Sequence, residues 1–129
     1  MIISKENTAV FECKVMIKAP LDRAEARLQE CGELEFFPRK EWTLVEDPSG
    51  TQLFGWEVSS WVELAGDTEL IYAYYDEDLS AEFLHIKDGV CLRAYLEYSG
   101  EVDTDEGADP ETAVSGWSGV AGYLDKHMI

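Results

Sequence analysis

Imidazole bases and thiols are scarce in this chain: the only histidines are His85 and His127, and the only cysteines Cys13, Cys31 and Cys91. A nucleophile needs a base within hydrogen-bond reach, most often a histidine. His85 stands between Leu84 and Ile86 in an apolar alternation, the setting of a structural histidine bonded to a neighbour. His127 falls in the last turn of a predicted helix, where a cation suits the dipole. The cysteines are odd in number, lack CxxC spacing and lie in apolar patterns, so buried free thiols are expected.

Carboxylates are the abundant chemistry, 27 in 129 residues. Asp103-Thr104-Asp105-Glu106-Gly107 resembles the opening of a calcium loop, but Gly107 stands where a ligand is wanted, one place before the required glycine. A regular EF-hand is thereby excluded. Gly66, Gly89, Gly100 and Gly107 are isolated turn residues, not a phosphate-cradling loop. Two carboxylates could act as a hydrolytic acid–base pair, yet nothing in the spacing singles one out. No catalytic residue, metal ligand or cofactor is assigned, and a non-enzyme is expected.

The formal net charge is −17, unevenly spread. Residues 1–56 carry 10 acids and 7 bases, whereas residues 57–129 carry 17 acids and only Lys87, Arg93 and Lys126. Such a chain repels phosphate backbones and anionic lipid, which argues against nucleic acid or membrane as partner. The start, Met1–Asn7, has no signal-peptide apolar run, and no stretch reaches membrane-span length, so the cytoplasm is expected.

The elements that must position these groups fit one α+β domain over residues 1–129. Ala9–Lys18 reads as a strand. Leu21, Ala24, Leu28 and Cys31 form one helical stripe between Pro20 and Gly32. Further extended runs are predicted at Glu33–Phe37, Trp42–Glu46 and, with a bend at Ser59-Ser60, Leu53–Leu64. Leu70–Tyr75, Ala81–Ile86 and Val90–Tyr98 predict an antiparallel meander, its last hairpin marked by Asp88-Gly89. Ser99–Glu111 reads as an exposed acidic loop, and Trp117–Met128 as a closing helix. The expected fold is an antiparallel sheet of five to six strands with two principal helices, Leu21–Cys31 and Trp117–Met128. Its expected core includes Val15, Ile17, Leu28, Trp56, Val58, Ile71, Phe83, Leu84, Leu92, Leu96 and Leu124.

The run Gly55-Trp56-Glu57-Val58-Ser59-Ser60-Trp61-Val62-Glu63-Leu64, then Phe83-Leu84-His85-Ile86-Lys87-Asp88-Gly89, then the Trp-containing last helix, resembles bacterial polymorphic-toxin and contact-dependent growth-inhibition immunity proteins. The resemblance implies a small cytosolic α+β inhibitor that blocks a cognate toxin domain, often a basic nuclease. It carries over no catalytic residue.

Charge points to the same class of partner, because carboxylates on a rigid sheet can imitate the phosphates a nuclease binds. The expected contact residues are Asp76, Glu77, Asp78, Glu101, Asp103, Asp105, Glu106, Asp109 and Glu111, with Tyr75 or Tyr98 as aromatic anchors. Neither acidic segment contains a Lys or Arg, so a cationic partner would relieve their repulsion. The alternative is an acidic, non-catalytic adaptor or scaffold whose charge serves solubility alone.

Overall fold

The computed structural model describes residues 11–109 and 111–129; Ala9 and Val10 of the predicted first strand, and Pro110 of the predicted loop, lie outside them. The elements run β1 (Phe11–Ile17), α1 (Leu21–Leu28), β2 (Glu35–Arg39), β3 (Trp42–Glu46), α2 (Val58–Ala65), β4 (Leu70–Asp76), β5 (Ala81–Lys87), β6 (Val90–Tyr98), β7 (Glu101–Glu106) and α3 (Gly116–His127). The strands form one antiparallel sheet in the order β2-β3-β1-β4-β5-β6-β7. The α+β class and the meander are as expected, with one strand and one helix more than the sequence suggested. No helix among the described residues is long and apolar enough to cross a membrane.

Helices cover both faces of the sheet. On one, Cys13, Val15, Ile17, Tyr72, Leu84 and Ile86 pack with Ala24 and Leu28 of α1, Trp61 and Ala65 of α2, and Leu53. On the other, Leu44, Ile71, Ala73, Phe83 and Tyr95 meet Val114 and, from α3, Val120 and Leu124. This double cover explains why the central strands read as continuous apolar runs, with β5 buried from Ala81 through Ile86. It also draws the aromatics inward rather than leaving half of them in water. Of the expected core, Trp56, Val58 and Leu92 are only partly buried; the other eight are buried.

Two expectations are corrected. Leu53–Leu64 is not a strand: after a turn, Val58, Trp61, Val62 and Ala65 recur at helical spacing, and Trp61 and Ala65 are the buried pair. The polar Ser59-Ser60 that suggested a bend is the solvent side of α2, which ends where the amide of Gly66, at φ 58°, donates to Val62. Nor is Ser99–Glu111 a loop throughout. Ser99 and Gly100 both take positive φ, 52° and 84°, forming a two-residue hairpin turn, and β7 then pairs along β6. A strand of carboxylates is tolerable there because an edge leaves its side chains in water, where charge also deters pairing with a second sheet. β7 gives way at Gly107 (φ 86°), where a Cβ would come within 2.1 Å of the Leu92 carbonyl oxygen.

At the other end of the meander, Asp88-Gly89 forms the expected hairpin. A register shift between His85 and Ile86 puts Cys91 opposite Ile86, on the α1/α2 face. Without the shift, strict alternation along β6 would put Cys91 on the face of Arg93 and Tyr95.

Candidate functional site

Strand pairing divides the predicted contact residues between the two ends of the sheet. The β4–β5 turn and the β6–β7 turn are neighbours: the Gly100 amide donates to the Leu79 carbonyl at 3.0 Å, and the Ser99 amide to Ser80 Oγ at 3.1 Å. Glu77, Asp78, Glu101 and Asp103 are thereby gathered, exposed, at one end of the meander. Asp76 belongs to the turn itself. Its carboxylate accepts the amides of Asp78 (2.9 Å) and Ser80 (3.1 Å) and the Tyr74 hydroxyl (2.6 Å).

The two aromatic anchors are occupied. Tyr75 lies edge-on to Trp117 with ring centres 5.4 Å apart, and burial, then the nearby Asp125 and Glu12, raise its pKa. Tyr98 is half-buried, its ring near Phe54 and its hydroxyl donating to the buried Glu82. The exposed apolar groups among the carboxylates are instead Leu79, 51% exposed in the turn at φ 63°, and Val102, 56% exposed on β7. Sequence reasoning passed over both, although a lone Val in an acidic run and a Leu after Asp-Glu-Asp were visible signals.

Asp105, Glu106, Asp109 and Glu111 lie toward the opposite end, where bases from outside the acidic segment reach it, so its charges are not left to repel one another as expected. Arg93 of β6 binds Asp105 at 2.6 Å and also donates to the carbonyls of Glu106, Gly107 and Val114. Lys87 of β5 stands 3.7 Å from Glu111. These cations are remote in sequence and arrive through strand pairing. Glu106 itself is exposed.

Asp109 is not a surface group at all. Its side chain is 2% exposed and lies 2.6 Å from His85 Nδ1, while Glu69 lies 2.8 Å from His85 Nε2. Two carboxylates can both accept from this ring only if it is an imidazolium. Burial pulls the His85 pKa down, but the hydrogen bonds to Glu69 and Asp109, and then their charge, outweigh it and hold it above 6.5. Burial likewise opposes ionisation of Asp109. The bonds from His85 and Thr112, the imidazolium charge and the Glu111 amide overcome it, so its pKa is lowered. With both ring nitrogens engaged and the side chain 1% exposed, His85 has the structural setting the sequence suggested.

A third polar centre, unnoticed in the sequence, is Glu82 on the α1/α2 face. It accepts from the hydroxyls of Tyr72 (2.7 Å) and Tyr98 and from the Gly55 amide (3.2 Å). Burial raises its pKa above 4.5 despite those donors, which lower it. The folded protein therefore holds this proton at pH values where the unfolded chain has released it. Stability from this group is greatest below the window between the two pKa values and falls as pH rises through it. Glu82→Gln cannot ionise, so its stability relative to wild type should increase as pH climbs through that window. Urea midpoints of both proteins over a pH series check this, and a constant or opposite difference would refute it.

The chain matches no protein-family model, and no curated protein or solved structure is significantly similar to it.

Proposed function

We propose that this protein is an immunity-type inhibitor that binds and neutralises a cognate bacterial toxin domain, a basic nuclease, with a ribonuclease favoured over a deoxyribonuclease, in the cytoplasm. The observation that carries the reading is the acidic end of the meander. Two mutually bonded turns hold the exposed Glu77, Asp78, Glu101 and Asp103 around the exposed Leu79 and Val102. Carboxylates on a rigid support suit a surface built for phosphate, and apolar groups among them supply points that can be fully desolvated. The contact set is thus narrower than the sequence suggested, with Leu79 and Val102 in place of Tyr75 and Tyr98.

The roles should separate kinetically. Neutralising Glu77, Asp78, Glu101 and Asp103 together as Gln or Asn should slow association with the toxin domain by about 10-fold or more at low salt. The difference should shrink as salt is added. Leu79→Ala and Val102→Ala should act mainly on dissociation. The test needs a basic toxin domain from a neighbouring reading frame, with inhibition of its nucleic-acid cleavage, RNA first, as the functional readout; a locus without such a frame would count against the proposal. Unchanged association at both salt concentrations would remove this surface from the interface, and failure to inhibit would remove the function.

A further inference from the structure

We infer that Glu69, His85 and Glu111 form a binding site for one divalent transition-metal ion of the zinc type. One ligand atom from each, a histidine nitrogen and two carboxylate oxygens, lie within 4.8 Å of one another. Zinc takes such nitrogen and oxygen donors at about 2.0–2.1 Å, so tetrahedral donors sit about 3.4 Å apart. Glu69 is already closer than that to Nε2, at 2.8 Å. Glu111 has a side chain 56% exposed and can swing inward, surrendering only a solvent-exposed pair with Lys87.

Asp109 gives the site its specific character. A metal-bound histidine almost always passes its other ring N–H to a carboxylate or carbonyl, which fixes the ring and increases its basicity. Asp109 occupies that position on Nδ1 at 2.6 Å and is itself held by the Thr112 hydroxyl at 2.7 Å and the Glu111 amide at 3.1 Å. The orienting group and one ligand therefore come from the same short segment. The metal would replace the Nε2 proton, which passes to solvent.

Solvent reaches the two carboxylates, Glu69 and Glu111, directly, whereas His85 is buried behind Glu69. Glu69 also lines an open hollow with Lys18, Asp67, Thr68, Lys87 and Asp88, in which carboxylates outnumber amines. A histidine ligand argues for zinc-type ions rather than calcium or magnesium, which prefer oxygen throughout. The site is at the opposite end of the sheet from Glu77 and Asp78, since Ile71 pairs with His85 while Tyr75 pairs with Ala81. It does not depend on toxin binding.

The test is a titration of the metal-free full chain with Zn²⁺ at neutral pH, following the ¹⁵N signals of the His85 ring. One equivalent should shift Nε2 as a metal-bound nitrogen while Nδ1 keeps its proton. Asp109→Asn should weaken binding by about 10–100-fold. Because that variant can unfold the protein, Glu111→Gln decides: its exposed side chain supports no core, and affinity should fall about tenfold or more. Glu77→Gln should leave it unchanged. Absence of saturable binding, equal affinity in wild type and Glu111→Gln, or Zn²⁺ uptake at cysteine with the His85 ring unmoved would each overturn the proposal.

Discussion

Asp109→Ala should destabilise the fold by about 3–5 kcal/mol, the range found when one partner of a buried ion pair is removed. The wild-type carboxylate is buried at 2% exposure against His85 and also receives Thr112 and the Glu111 amide. Its loss leaves the imidazolium facing Glu69 alone and frees the segment that leads from β7 into α3. Asp78→Asn, an exposed change at the other end of the sheet, should stay within about 0.5 kcal/mol. Equilibrium urea unfolding of both variants measures the contrast. Equal small effects would mean that Asp109 is a surface residue after all.

Trp61→Ala should be comparably costly, about 3–5 kcal/mol, because a large ring is removed from a packed interior. Trp61 is 1% exposed and stacks between Trp56, at 4.5 Å between centres, and Tyr72, at 4.4 Å. It is the residue through which α2 grips the sheet, so truncation opens a cavity between two layers rather than a dent at the surface. Trp56→Ala, at a half-buried ring, should cost clearly less. A thermal or urea series in which Trp56→Ala proves the worse variant would contradict this packing.

These two residues also show where sequence reading succeeds and where it stops. Local signals were legible: Asp88-Gly89 announced its hairpin, and the spacing of Trp117, Val120, Ala121, Leu124 and Met128 announced the C-terminal helix, although only Val120, Leu124 and Met128 of that stripe are buried. Trp61 was misplaced on a strand because Trp56, Val58, Trp61, Val62 and Leu64 satisfy two periodicities, and only cover on the α1/α2 face decides for the helix. The Ser99-Gly100 turn was equally available as a hairpin signal, but the run of acids after it disguised an edge strand as a loop. Asp109 was beyond reach by spacing. The Pro that follows it signals a turn, not a buried carboxylate, and its distinguishing partner is 24 residues away. Glu82 was hidden for the same reason, since its donors come from Gly55, Tyr72 and Tyr98 on three separate segments.

The position of β1 has a consequence for how the molecule is assembled. β4 to β7 follow one another through short turns, so each pairing in that half closes a small loop and can form early. β1 instead pairs with β4 along its whole length, from Phe11 opposite Asp76 to Ile17 opposite Leu70, with α1, β2, β3 and α2 all lying between them in sequence. That closure carries the largest entropy cost in the sheet, and it returns energy only once β4 exists to receive it. During synthesis β1 can pair with β3 and meet α1 first, but its other edge stays open until the first strand of the meander has emerged. The seam between β1 and β4 thus joins two halves that each have short-range pairings of their own.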